Sequence, residues 1–222
     1  MNRRSFVSGA LAALTAGSLG GCRGKQYAKV MHEGEPGMVG SHQAGGETFK
    51  PLIDEAVAKL LGRQAEDRNV GPEGLPPPPR RICFVAVENK SSEELGDFKD
   101  QIYEQIDAKI LESQMFQPVS KRFVDAGLMQ TRLRPDMLMV PDNMRMFAAT
   151  MEQQGQPFDY LLYATITSGT TRENKDYQRD YLLTLDLVNV HTGQYDKQAA
   201  NLSKGYYHSR IGRLRSMNPL HQ

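Results

Sequence analysis

From Glu47 to Leu61 the apolar residues Phe49, Ile53, Val57, Leu60 and Leu61 recur at helical spacing, and Gly62 supplies a stop, so the pattern predicts a first helix with one buried face. Residues 63–80 are polar and close on Pro76 to Pro79, a stiff polyproline-like spacer that delivers the chain into the first strand. The continuous apolar run within Arg81 to Glu88 predicts that strand as a buried one, and Ser91 with Glu94 offers a capping box for the next helix. There Phe98, Ile102, Ile106 and Ile110 recur every fourth residue, while Asp100, Glu104 and Asp107 form the opposite, solvated face. A short strand from Met115 to Val119 leads into a helix from Ser120 to Thr131, and Pro135 and Pro141 bracket a loop. Asp142 is placed to cap a helix to about Gln154, with Met144, Phe147, Ala148 and Met151 as its core stripe and Gly155 as its end.

Strand signals dominate the last third. Tyr160 to Thr167 reads as a strand, and Ser168-Gly169-Thr170-Thr171 as the connection out of it, since small polar residues suit a turn. From Tyr177 to Val190 the alternation is clean: Leu183, Leu185 and Leu187 face one way, Thr184 and Asp186 the other, so one face is wet. His191-Thr192-Gly193 makes a turn, and Gln194 to Tyr206 returns as a hairpin partner. The order predicts an α/β (α+β) domain over residues 47–209, with a small mixed sheet of four to five strands flanked by helices. The early strands, joined through helices, pair in parallel, and the sheet ends in an antiparallel hairpin. Residues 210–222 form a loose tail.

The first residues have a different plan. Arg3 and Arg4 give a cationic start, Phe6 to Leu19 an apolar stretch too short to span a membrane, and Leu19-Gly20-Gly21-Cys22 an ending in small residues before a cysteine. Residues 1–21 therefore read as a signal peptide cleaved between Gly21 and Cys22. The ending resembles the bacterial lipobox, which implies a diacylglycerol on the Cys22 sulfur, because several acyl chains hold a protein durably where one does not. Arg3-Arg4-Ser5-Phe6-Val7 also resembles the twin-arginine export motif, and that route and general export both stay open. Residues 22–46, rich in Gly and polar residues, make a tether that spans at most about 80 Å when fully stretched. In a cell with two membranes, Arg23 after the cysteine resembles the choice for outer-membrane sorting, facing the periplasm.

Charge and chemistry narrow the function by what they lack. Without Arg3 and Arg4, 25 basic residues stand against 26 acidic ones, so no basic field points to nucleic acid. If lipid takes Cys22, Cys83 has no partner and behaves as a buried apolar residue within its strand. The five histidines show no metal-binding spacing, and Val87-Glu88-Asn89-Lys90 lacks the glycines of a phosphate cradle. The pattern therefore predicts no cofactor, no metal, no catalytic residues and no small-molecule substrate. Arg172, Lys175 and Arg179 flank the predicted hairpin turn among acidic residues, a mixed-charge tip suited either to solvent or to docking a partner. Tyr163, Tyr177, Tyr181, Tyr206 and Tyr207 gather near the last strands, which fits either an interface or half-buried strands.

The stretch from Ile82 to Ser92, then Arg122-Phe123-Val124-Asp125, and above all Phe158 to Ser168, Tyr181 to Asp186 and Thr192-Gly193 resemble the LpoB family of penicillin-binding-protein activators. The resemblance runs over roughly residues 47–208. It implies a sheet flanked by helices, no catalytic residues, and stimulation of glycan polymerisation by docking on a bifunctional peptidoglycan synthase. A structural or secretion-assembly lipoprotein of related architecture, similar to CsgG or the amino-terminal domain of TolB, is the other reading.

Overall fold

The computed structural model describes residues 44–66, 78–173 and 176–206, all within the unit Val39–Gln222. The predicted signal peptide, Cys22, the tether up to residue 43, Lys175 and the tail lie outside the described residues.

Helix α1 (Gly46–Glu66) buries Phe49, Leu52, Ile53, Ala56, Val57 and Leu60. It does not stop at Gly62. The last turn runs on because Gln64, only 6% exposed, donates from Nε2 to Asp196 Oδ2 at 3.1 Å. Strand β1 (Arg80–Lys90) leads to helix α2 (Phe98–Glu112), which buries Ile102, Tyr103, Ile106 and Ile110. The predicted capping box is not used. Asn89 Oδ1 instead accepts from Ser91 N at 2.9 Å and Ser91 Oγ at 2.7 Å, winding Ser91 into a turn, and α2 begins only after Gly96 takes a left-handed φ of 47°.

Strand β2 (Phe116–Pro118) precedes helix α3 (Lys121–Thr131), and a 3-10 turn (Pro135–Met139) precedes helix α4 (Pro141–Gln153). Pro141 opens α4, so Asp142 lies in its first turn rather than at its cap. Gly155 ends it at a φ of 72°, and Gln156 N reaches back to Met151 O at 2.8 Å.

Strands β3 (Tyr160–Glu173), β4 (Asp176–Asn189) and β5 (Tyr195–Tyr206) complete one sheet in the order β2-β1-β3-β4-β5. β1 pairs in parallel with β2 and β3, and the β3–β4 and β4–β5 pairs are antiparallel. This is the predicted mixed sheet. Ser168 to Thr171 are not a connection, however; they continue β3, paired from Ser168↔Tyr181 to Thr171↔Gln178. Their hydroxyls are put to use in the sheet: Ser168 Oγ accepts from Ser92 N at 3.0 Å, and Thr170 Oγ1 from Arg179 Nε at 3.2 Å.

Each face of the sheet has its own core. Under α1 and α2, Ile82, Phe84, Leu162, Ile166, Leu183, Leu185 and Leu187 pack in one cluster. Phe84 stacks on Tyr103 at 4.3 Å, and the Tyr103 hydroxyl donates to Phe84 O at 2.9 Å. Under α3 and α4 lies the second cluster, with Cys83, Val85, Leu161, Val188, Phe147, Met151 and Phe158. Cys83 is fully buried and burial pushes its thiol up, which leaves it an inert core residue. Between Phe84 and Ala86 a bulge shifts the β1–β3 register, so that Val85 is extra. Beyond the bulge the even-numbered side chains Ala86 and Glu88 share the second face. Helices α3 and α4 cover that face only beside β1 and β3. Beyond them it is open at the start of β4 and along β5, with Leu182, Asn201 and Ser203 exposed.

Candidate functional site

Where α4 ends its cover, the second face forms a cleft of about 650 Å³. Its floor is β-sheet: Glu88 from β1, Tyr163 and Thr165 from β3, and Asp186 and Val188 from β4. The 3-10 turn and the start of α4 build one wall with Asp136, Met139, Pro141, Met144 and Arg145. Val190, His191, Thr192 and Gly193 of the β4–β5 turn, with Tyr195, build the other. Gly193 closes that turn at a φ of 72°, and Asn189 Oδ1 accepts from His191 N at 2.9 Å and Thr192 N at 3.0 Å.

The floor is polar and charge-compensated. Asp186 Oδ1 accepts from the Tyr195 hydroxyl at 2.5 Å and pairs with Lys197 Nζ at 3.2 Å. Lys90 pairs with Glu88 Oε2 at 2.7 Å. Burial first, and then the neighbouring Glu88 charge, push the Tyr163 phenol up, so it stays a protonated donor. Burial and the Asp186 hydrogen bond raise Tyr195 in the same way, while the Tyr195 hydroxyl and Asp186 raise Lys197. On the walls Asp136 pairs with Arg134 at 3.1 Å, and Arg145 with Asp142 at 2.7 Å. His191 Nε2 lies 3.3 Å from Asp159 Oδ1.

The hairpin tip divides the residues that the sequence singled out there. Arg172 is exposed on β3, opposite Tyr177. Arg179 has a structural position instead: its guanidinium binds Glu93, whose side chain is 5% exposed, and lies near the stacked rings of Tyr177 and Tyr206. The Tyr181 hydroxyl donates to the same Glu93 Oε1 at 2.8 Å. Burial works against the Arg179 charge, but the hydrogen bonds and charges of Glu93 and Tyr181 together outweigh it and raise Arg179. This network ties the β1–α2 turn to the hairpin. Of the tyrosines gathered near the last strands, Tyr163, Tyr181 and Tyr206 are buried and Tyr177 is half-buried, while Tyr207 lies outside the described residues.

Glu93, Tyr195 and the cleft's use of Glu88 were missed in the sequence. Asp186 and Tyr163 were singled out there and do line the cleft, whereas Thr184, expected to be wet beside Asp186, is buried. Among the described residues no three His, Cys, Asp or Glu side chains come together as metal ligands, and no helix is long and apolar enough to cross a membrane.

The chain is similar to several solved structures. The LpoB C-terminal domain of Salmonella enterica is 17% identical, with 69% of this chain and 97% of that one covered, at a TM-score of 0.48. The corresponding Escherichia coli domain is 18% identical over 68% and 97% of the two chains, at 0.45. The lipoprotein GNA1162 of Neisseria meningitidis is 21% identical over 63% and 92%, at 0.43. No curated protein sequence matches the chain. A sequence profile described as peptidoglycan-synthase activator LpoB matches residues 49–195, from the first buried aromatic of α1 to the opening residue of β5. With that span covering both helical layers and four of the five strands, the chain belongs to the LpoB family of peptidoglycan-synthase activators, proteins that regulate an enzyme rather than being one.

Proposed function

We propose that the protein is a lipid-anchored envelope protein that docks on a bifunctional peptidoglycan synthase, a penicillin-binding protein, and accelerates its glycan polymerisation. The family match over residues 49–195 carries this reading. The anchor rests on Leu19-Gly20-Gly21-Cys22, with residues 1–21 removed, lipid on Cys22, and the chain from there to residue 43 as a tether on the outer membrane, facing the periplasm, in a cell with two membranes; Ala44, read from the sequence as tether, is already buried in the core. The docking surface includes the β3–β4 tip, through Arg172 and Lys175; Arg179 supports it from behind by holding the hairpin to Glu93. A regulator needs no catalytic group of its own, only a differential affinity for the active state of its target.

Two measurements test the reading. Radiolabelled palmitate should enter the wild-type protein and fail to enter Cys22→Ala, and labelling of both would refute the anchor. Glycan polymerisation by the host's bifunctional synthases should rise several-fold when the full-length protein is added in detergent; no rise with any of them would remove the activator role.

A further inference from the structure

We propose that the cleft on the open sheet face binds a neutral, hydroxyl- and acetamide-rich ligand, an N-acetylated oligosaccharide. The inference stands on the cleft alone and does not rest on the activator reading. Its volume of about 650 Å³ falls within the range of small-ligand sites.

Charge comes first. Each ionic side chain lining the cleft already has a partner of opposite sign: Glu88 has Lys90, Asp186 has Lys197, Asp136 has Arg134 and Arg145 has Asp142. Opposite charges therefore balance around the cleft, which presents no net field of one sign to select a cationic or an anionic ligand. Hydrogen-bonding capacity remains. A carboxylate has about four lone-pair sites, so Glu88 and Asp186 can each accept further donors of the kind that adjacent sugar hydroxyls supply. The hydroxyls of Thr165 and Thr192 add both donors and acceptors.

The apolar component fits the same class. Met139, Met144, Val188 and Val190 line the cleft beside these polar groups, an environment for an acetamido methyl. Tyr195 stands at the rim 54% exposed, with Lys197 Nζ 5.9 Å from its ring, and its ring offers an apolar surface with a polar tip. An extended peptide fits less well. β3 is paired on both sides, by β1 and β4, and β4 by β3 and β5, so these floor strands offer no free backbone edge to add a strand to.

The full-length protein in detergent, titrated by calorimetry with triacetylchitotriose, tests this. Saturable binding is expected, weakened about tenfold or more in Tyr195→Ala and in the isosteric Glu88→Gln, and unchanged in Met129→Ala on the far side of α3. The fully deacetylated, cationic trimer should bind at least about tenfold more weakly than the acetylated one. Thermal unfolding of each variant separates loss of the site from loss of the fold. The proposal is overturned if the acetylated trimer does not bind, if the deacetylated trimer binds as well or better, or if Glu88→Gln and Tyr195→Ala fold and bind as the wild type does. Loss of synthase activation in those two variants, with no sugar binding by the wild type, would assign the cleft to a protein partner instead.

Discussion

At the scale of single residues, the hairpin depends on one buried ion pair. Arg179 is 17% exposed and Glu93 5%, and the pair is completed by the Tyr181 hydroxyl. Arg179→Ala would leave the Glu93 carboxylate buried beside a neutral phenol alone. Removing one partner of a buried pair costs about 3 kcal/mol, and urea unfolding of Arg179→Ala should show a loss of that order. Asp107 presents the opposite case. Its Oδ1 is buried with no hydrogen-bond partner among the described residues, and burial, with the Glu104 charge second, raises its carboxyl above the ordinary 3.8. Because the folded carboxyl holds its proton more tightly than the unfolded one, folding takes up a proton in this window. Its contribution to stability is full below the unfolded value and is lost as pH rises through the folded one. Asp107→Asn should therefore be more stable than the wild type at pH 7, by a few tenths of a kcal/mol after solvent screening. The two should converge near pH 3 in denaturation curves measured across pH.

At the scale of elements, α3 and α4 meet at Gly127. A Cβ there would lie 2.6 Å from Met151 Sδ and 2.9 Å from Phe147 Cε2. The methionine can move, but the Phe147 ring is fully buried and packed against Phe158. Gly127→Ala should therefore lower stability by about 1–2 kcal/mol despite its better helix propensity, as a thermal melt would show. Elements of this kind were legible in the sequence wherever periodicity was strong: α2 through its fourfold isoleucine spacing, β1 through its apolar run, β4 through its alternating leucines. Their ends were not. Gly62 failed to stop α1 because a tertiary bond from Gln64 to Asp196 extends the helix, and Ser168 to Thr171 looked like a turn because hydroxyl residues suit both turns and exposed strands. The cleft was hidden for a further reason. The bulge at Val85 decides that Glu88 faces it, and a one-residue register change leaves no trace in local hydropathy.

At the scale of the whole molecule, two helical layers pack on the sheet and part of its second face stays open. A sheet with an exposed tip and a cleft suits a protein that works by contact, and the family matched over residues 49–195 is that of the peptidoglycan-synthase activators. Arg172, exposed and outside both cores, gives this a handle: Arg172→Glu should leave the melting curve unchanged and reduce activation several-fold, since a reversed charge at a docking rim acts on association. The most direct measurement is the rate at which the host's bifunctional synthase polymerises its lipid-linked disaccharide, recorded with increasing full-length protein in detergent. A saturable, several-fold rise, diminished by Arg172→Glu, is the predicted result; a rate indifferent to the protein at every concentration, with every bifunctional synthase of the host, would contradict it.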